Sequence, residues 1–145
     1  MTNEIVVVDA SLVIKAIVPN AELARCQVIL TQLQDKRLVA PALWVYEITS
    51  TLSRAVHFGQ LTASEARAAL HQALSLGVQI ILPDENQASL AFDQTLQLHR
   101  AAAYDSFYLA IASALEADFW TADQRLANSF QGKKPTWLHT LDDVR

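Results

Sequence analysis

The residues best suited to chemistry in this 145-residue chain are four acids, Asp9, Glu47, Asp105 and Asp123. Asp9 directly follows the β-branched run Ile5-Val6-Val7-Val8, and Asp123 comes two residues after Phe119-Trp120-Thr121. Both have a plain structural reading, because Asp is a favoured N-cap at the start of a helix. Glu47 sits at the margin of an apolar helical face beside Thr51 and Arg54, where pairing with a neighbouring arginine accounts for it equally well. Asp105 is different, being the only charged residue between Ala101 and Leu115. A helix that apolar must be largely buried, and a buried carboxylate without a partner is strongly disfavoured or driven neutral. Either Asp105 caps its helix or a cation meets it.

The elements that must position these acids follow from patterning. Ile5 to Val8 reads as a strand buried on both faces. Helical patterns cover residues 11–17 and 21–33, interrupted by Pro19-Asn20. A second strand spans residues 37–40 and ends at Pro41. The helix over 42–58 gathers Trp44, Ile48, Leu52, Ala55 and Val56 on one face, with Gly59 closing it at C′. Thr62-Ala63-Ser64-Glu65 has the form of a capping box and predicts a helix to about Ser75. A third strand at 78–82 precedes Pro83-Asp84, then helices follow at 86–99 and 104–117, the latter apolar nearly all round. A fourth strand at 119–121, a short helix at 123–128 and a fifth strand at 136–138 complete the chain. Short apolar strands alternating with helices require crossover connections. The expectation is one α/β domain over residues 1–145, a three-layer α/β/α sandwich around a parallel sheet of four or five strands.

In open parallel sheets, ligands bind beyond the carboxyl ends of the strands. Asp9 and Asp123 follow strands, Asp105 starts a core helix, and Glu47 lies one turn into a helix that itself follows a strand, so all four project from one edge. Carboxylates gathered there repel one another unless a cation neutralises them. Oxygen ligands without a His or Cys cluster select Mg²⁺ or Mn²⁺ over zinc. An ion of that kind activates water for attack on a phosphodiester. Two such ions would bring the formal charge of −4 to neutrality, recruiting a phosphate that the bare acids repel. Lys15, Arg54, Arg100, Lys133 and Lys134 are candidates for contacts with a nucleic-acid backbone, each also readable as a solvated surface charge.

Four segments carry a family resemblance: Val-Val-Val-Asp-Ala-Ser-Leu-Val-Ile-Lys (6–15), Pro-Ala-Leu-Trp-Val-Tyr-Glu (41–47), Tyr-Asp-Ser-Phe-Tyr-Leu-Ala-Ile-Ala (104–112) and Trp-Thr-Ala-Asp-Gln-Arg-Leu (120–126). In this order they resemble the PIN-domain nucleases, in particular the VapC-like toxins of bacterial toxin–antitoxin pairs. The resemblance implies a PIN fold and a metal-dependent ribonuclease. Its four acids fall on Asp9, Glu47, Asp105 and Asp123, which in the family hold one or two Mg²⁺ or Mn²⁺ ions. Ser11 and Thr121 match the family's small hydroxyl positions beside the first and fourth acids. The resemblance also implies a small antitoxin protein as partner and a homodimer.

Other features narrow the field. Cys26 is the single cysteine, so no internal disulfide and no Cys-rich zinc cluster is available, in keeping with a reducing cytoplasm. The three glycines, Gly59, Gly77 and Gly132, cannot be written into a P-loop, a dinucleotide fingerprint or a nucleophile elbow. The N-terminal apolar run is too short for a signal segment or membrane span, so a cytoplasmic protein is expected. His57, His71, His99 and His139 lack ligand spacing, and Trp44 and Trp120 fall on core positions. Two other functions compete with a nuclease. One is an aspartyl-nucleophile phosphatase or phosphotransfer domain using Asp9, against which Ser11 stands where a second acid is expected. The other is a non-enzymatic PIN-like module for binding or dimerisation, whose sign would be degenerate acids.

Overall fold

The computed structural model describes residues 4–100 and 102–144. Ala101, at the head of the apolar stretch that carries Asp105, lies outside the described residues, as do residues 1–3 and 145. Five parallel strands, β1 (Ile5–Val8), β2 (Arg37–Pro41), β3 (Gln79–Ile81), β4 (Asp118–Trp120) and β5 (Leu138–His139), form one sheet in the order β3-β2-β1-β4-β5. The chain therefore builds outward from β1 to β3, then returns to the far side of β1 for β4 and β5. That reversal puts the topological switch point between β1 and β4, where the two adjoining connections leave in opposite directions and open a crevice.

Among the described residues, seven α-helices connect the strands: α1 (Ala10–Lys15), α2 (Leu23–Gln32), α3 (Leu43–His57), α4 (Ala63–Leu74), α5 (Glu85–Gln97), α6 (Tyr104–Leu115) and α7 (Gln124–Asn128). Helices α1 to α4 pack on one another, and α5 packs on α6, which lies against β1, β2 and β4. Val6, Val7 and Val8 are buried between these layers, as a continuous β-branched run requires. From the helices, Leu12, Ile29, Trp44, Ile48 and Leu109 complete the core. Phe119 on β4 is fully buried and stacks on Tyr108 of α6, with ring centroids 5.4 Å apart. Burying a ring of this size stabilises the fold by about 1.5–3 kcal/mol.

Local signals set the helix ends. In the capping box of α4, the Thr62 amide donates to Glu65 Oε1 at 2.9 Å and the Glu65 amide to Thr62 Oγ1 at 3.1 Å. Gly59, at φ 74°, takes the left-handed turn after α3. Helix α6 stops at Leu115 instead of running to Ala117, because Glu116 adopts the left-handed conformation at φ 51° and turns the chain into β4. The last strand sits one to two residues later than the pattern suggests: pairing Phe119 with Leu138 and Trp120 with His139 sets its register. Among the described residues, no helix is long and apolar enough to cross a membrane.

Candidate active site

Strand β1 delivers Asp9 to the switch point, where its amide bonds the Trp120 carbonyl of β4 at 3.0 Å. The side chain is 5% exposed, yet both oxygens are engaged. Thr121 Oγ1 donates to Asp9 Oδ2 at 2.5 Å, and the Ser11 amide donates to Oδ1 at 3.4 Å, capping α1. Thr121 Oγ1 accepts in turn from the Asp123 amide at 2.9 Å, and Ser11 Oγ from the Ala122 amide at 3.1 Å. The two hydroxyls lie 3.5 Å apart. Asp123 caps α7, its Oδ1 accepting from the amides of Arg125 and Leu126 at 3.0 and 3.4 Å. For Asp9 and Asp123, then, capping and placement at the sheet edge are the same fact.

Glu47 and Asp105 reach the crevice from helices. Glu47, on α3, accepts a 2.6 Å bond from the Tyr108 hydroxyl of α6, so its partner is that phenol and not the arginine of its own helix. Asp105, in the first turn of α6, does not cap it: Ala103 is the N-cap position, without a side-chain bond. The cation that a buried acid demands is Arg100, whose guanidinium donates to Asp105 Oδ2 at 2.7 Å, with both side chains about one-quarter exposed (25% and 24%).

The electrostatics tie the four acids into one set. Burial pushes the Asp9 carboxyl from an ordinary 3.8 up to about 6, with Asp105 adding repulsion and the Thr121 bond opposing. Burial likewise lifts Glu47 from 4.5 to about 7; its bond from Tyr108 opposes this, while Asp9, Asp105 and Asp123 all add to it. Asp105 is raised too, chiefly by burial, against the pull of Arg100. Tyr108 is held far above the ordinary phenol range by burial and by the charges of Asp9 and Glu47, so it stays a donor. An edge that raises its own carboxylates in this way favours a bound cation.

The donor chemistry fits Mg²⁺ or Mn²⁺: the set is all oxygen, and its mutual repulsion is what a divalent ion relieves. Among the described residues, no three acids, histidines or cysteines stand as a group already able to hold a metal. A preformed cage is not required, because Mg²⁺ keeps several waters and is bound through one or two carboxylates. Asp9, the most buried of the four, would be the fixed point of such a site, and Asp105 would enter it on release from Arg100.

Two clefts open onto the acids. The larger, about 750 Å³, includes Glu47, Asp105, Arg54, Arg100, Tyr46 and Tyr104 in its walls. The other, about 650 Å³, includes Ser11, Asp123, Lys15 and Arg125. Of the five basic residues read as backbone contacts, Lys15 is engaged by Glu22 at 2.9 Å and Lys134 by Asp143 at 2.7 Å. Arg100 holds Asp105, Arg54 faces the larger cleft, and Lys133 is exposed away from both clefts' walls. Tyr108 and the tyrosines at the cleft were not read as site residues in the sequence. Tyr108 had a usable signal, since a phenol inside so apolar a helix needs a partner for its hydroxyl.

Known proteins share the family sequence pattern and the fold of this chain. The PIN domain family profile matches residues 7–137. Ribonuclease VapC1 of Mycobacterium tuberculosis is 34% identical over 122 residues, covering 83% of this chain and 87% of that protein. Among solved structures, FitAB bound to an IR36 DNA fragment superposes with a TM-score of 0.70 at 17% identity, over 97% of each chain. A toxin–antitoxin complex from Klebsiella pneumoniae gives 0.66 at 16% identity, over 94% of this chain and 97% of that one. VapBC2 from Rickettsia felis, bound to a DNA fragment from its promoter, gives 0.66 at 15%, over 94% and 98%.

Proposed function

The chain belongs to the PIN-domain family, and on that footing we propose that it is a ribonuclease that hydrolyses RNA phosphodiester bonds with Mg²⁺ or Mn²⁺, one or two ions, held by Asp9, Glu47, Asp105 and Asp123. The observation that carries this reading is the gathering of acids at the switch point, where burial, reinforced by neighbouring acids, pushes Asp9 to about 6 and Glu47 to about 7. When bound, such an ion stabilises charge on the scissile phosphate and lowers the pKa of an attacking water.

The residues of the chain divide the remaining work. Thr121 and Ser11 orient Asp9 by bonding one carboxylate oxygen each. Tyr108 fixes Glu47 through its hydroxyl. Arg100 compensates the charge of Asp105 and would be free for a phosphate if a cation took its place there. The burial of Asp9 and the engagement of both its oxygens favour a ligand over an attacking nucleophile, which weighs against the phosphotransfer reading.

The 34% identical relative is a ribonuclease by name, and two of the superposing structures are named as a toxin–antitoxin complex and a VapBC protein. By analogy, a small antitoxin protein is the expected partner of this chain, and a homodimer the expected assembly. Incubation of the purified protein with a structured RNA and Mg²⁺ or Mn²⁺ tests the activity. Cleavage that disappears with chelator and in Asp105→Asn supports it; metal-independent cleavage, or full activity in that variant, contradicts it.

A further inference from the structure

Each of the two helix-borne acids is preceded by a tyrosine: Tyr46 before Glu47 on α3, and Tyr104 before Asp105 on α6. Successive residues on a helix point about 100° apart, so where the acid turns to the crevice the tyrosine turns outward at its rim. Tyr46 is 71% exposed and Tyr104 69% exposed, and both line the 750 Å³ cleft that holds Glu47 and Asp105. Among the described residues, neither tyrosine side chain makes a hydrogen bond or a ring contact, and Arg54, also in that cleft, makes no ion pair. Two solvated aromatic faces and an unengaged guanidinium thus sit beside the acids, within one cavity.

Such a set matches an unpaired polynucleotide strand. Every base offers a π-face to an aromatic side chain, and a guanidinium takes the phosphate between bases. A base-paired helix keeps its π-faces stacked inside and could not use the rings. Tyrosine and arginine also serve protein interfaces; what favours a nucleotide strand here is that the rings and the guanidinium share one cleft with Glu47 and Asp105.

Resting on the ribonuclease reading, we propose that Tyr46 and Tyr104 are base-stacking platforms that seat unpaired nucleotides next to the scissile phosphate, with Arg54 on the backbone. The rings thereby supply a contact that an unpaired strand can make and a duplex cannot. Stacking on a protein ring is tolerant of base identity, so the tyrosines choose the strand's state and leave sequence choice to other contacts.

The test is equilibrium binding, by fluorescence anisotropy, of a labelled single-stranded RNA and of its duplex. It is made in an Asp9→Asn background so that RNA is not consumed. Tyr46→Ala and Tyr104→Ala are each expected to weaken single-strand binding about ten-fold. Phenylalanine at either position restores binding, leucine does not, and Arg54→Gln lowers the slope of log affinity against log salt by about one. A 2-aminopurine placed beside the cleavage position is quenched by the parent protein and not by the alanine variants. Leucine variants that bind like the parent, duplex bound as tightly as single strand, or alanine variants that convert a dimer to a monomer in sedimentation would each overturn the proposal. RNA cleavage by wild type with unchanged binding in the alanine variants overturns the stacking inference alone. Failure of wild type to bind or cleave any RNA overturns the nuclease reading as well.

Discussion

The two halves of the acidic edge are built in different ways. Asp9 and Asp123 grow from the ends of adjacent strands, and their partners are backbone amides and the hydroxyls of Ser11 and Thr121 within the same crevice. Glu47 and Asp105 ride on helices from different parts of the chain and are held by single side-chain contacts, from Tyr108 and Arg100. The sheet-borne half is fixed by the same hydrogen bonds that fix the fold. The helix-borne half hangs on single side chains: a rotamer change in the partly exposed Arg100 reshapes it at Asp105, while the buried Tyr108 holds Glu47 in place. A metal site built this way would have a rigid floor and, at Asp105, an adjustable wall.

The largest effect that separates the halves should come from Thr121→Val. It keeps the side chain's shape but removes the donor to Asp9 and the acceptor for the Asp123 amide. Loss of a partner that orients a ligand typically costs ten- to a hundred-fold in metal affinity, and about that loss is expected here by titration calorimetry with Mn²⁺. Thr121 is fully buried, so the variant should also lose about 1–3 kcal/mol of stability in urea unfolding. A variant with native metal affinity would show that the floor is not rigid in the sense argued.

The pH dependence of stability probes both halves together. Asp9 titrates near about 6 when folded against an ordinary 3.8, and Glu47 near about 7 against 4.5. Both groups hold protons more tightly in the folded state, so between those values the folded protein carries more protons than the unfolded one. Their contribution to stability is fully present at low pH and is lost as pH rises through the folded values. Metal-free protein should therefore melt at a higher temperature near about pH 5 than near about pH 8, with a shift of several degrees. Saturating Mg²⁺ should flatten or reverse the trend, since protons then compete with the cation. A metal-free melting temperature that rises toward pH 8 would contradict the assigned burial of these acids.

The smallest effect is expected on the adjustable wall. Arg100→Gln removes the in-chain cation from Asp105 and should raise the apparent Mn²⁺ affinity about two- to five-fold, the range set by the modest strength of a partly exposed pair. Weaker metal binding in this variant would mean that Arg100 positions Asp105 for the ion instead of competing with it.

These contrasts also mark how far the sequence is readable. The strand-borne acids were legible because a β-branched run followed by Asp fixes both the element and the edge from which the side chain leaves. The Thr62–Glu65 capping box and the Gly59 turn were equally local and equally readable. Asp105 announced its need for a cation through the apolar helix around it, but not that Arg100, just upstream, would supply it. The tie between Glu47 and Tyr108 spans a sequence separation of 61 and depends on how α3 and α6 meet over the sheet, which no local pattern encodes. The ion pairs of Lys15 and Lys134 show the same limit: exposure can be read from a pattern, but the acid that a lysine will find cannot.

The central claim is that these four acids, a strand-borne pair and a helix-borne pair, hold a divalent cation. Titration calorimetry of Mn²⁺ into the wild-type protein and Asp9→Asn, at a pH above the titration of Asp9 and Glu47, tests it directly. The account predicts saturable binding by wild type that is lost in Asp9→Asn while that variant remains folded. Absence of binding at millimolar Mn²⁺, or equal binding by both proteins, would contradict it.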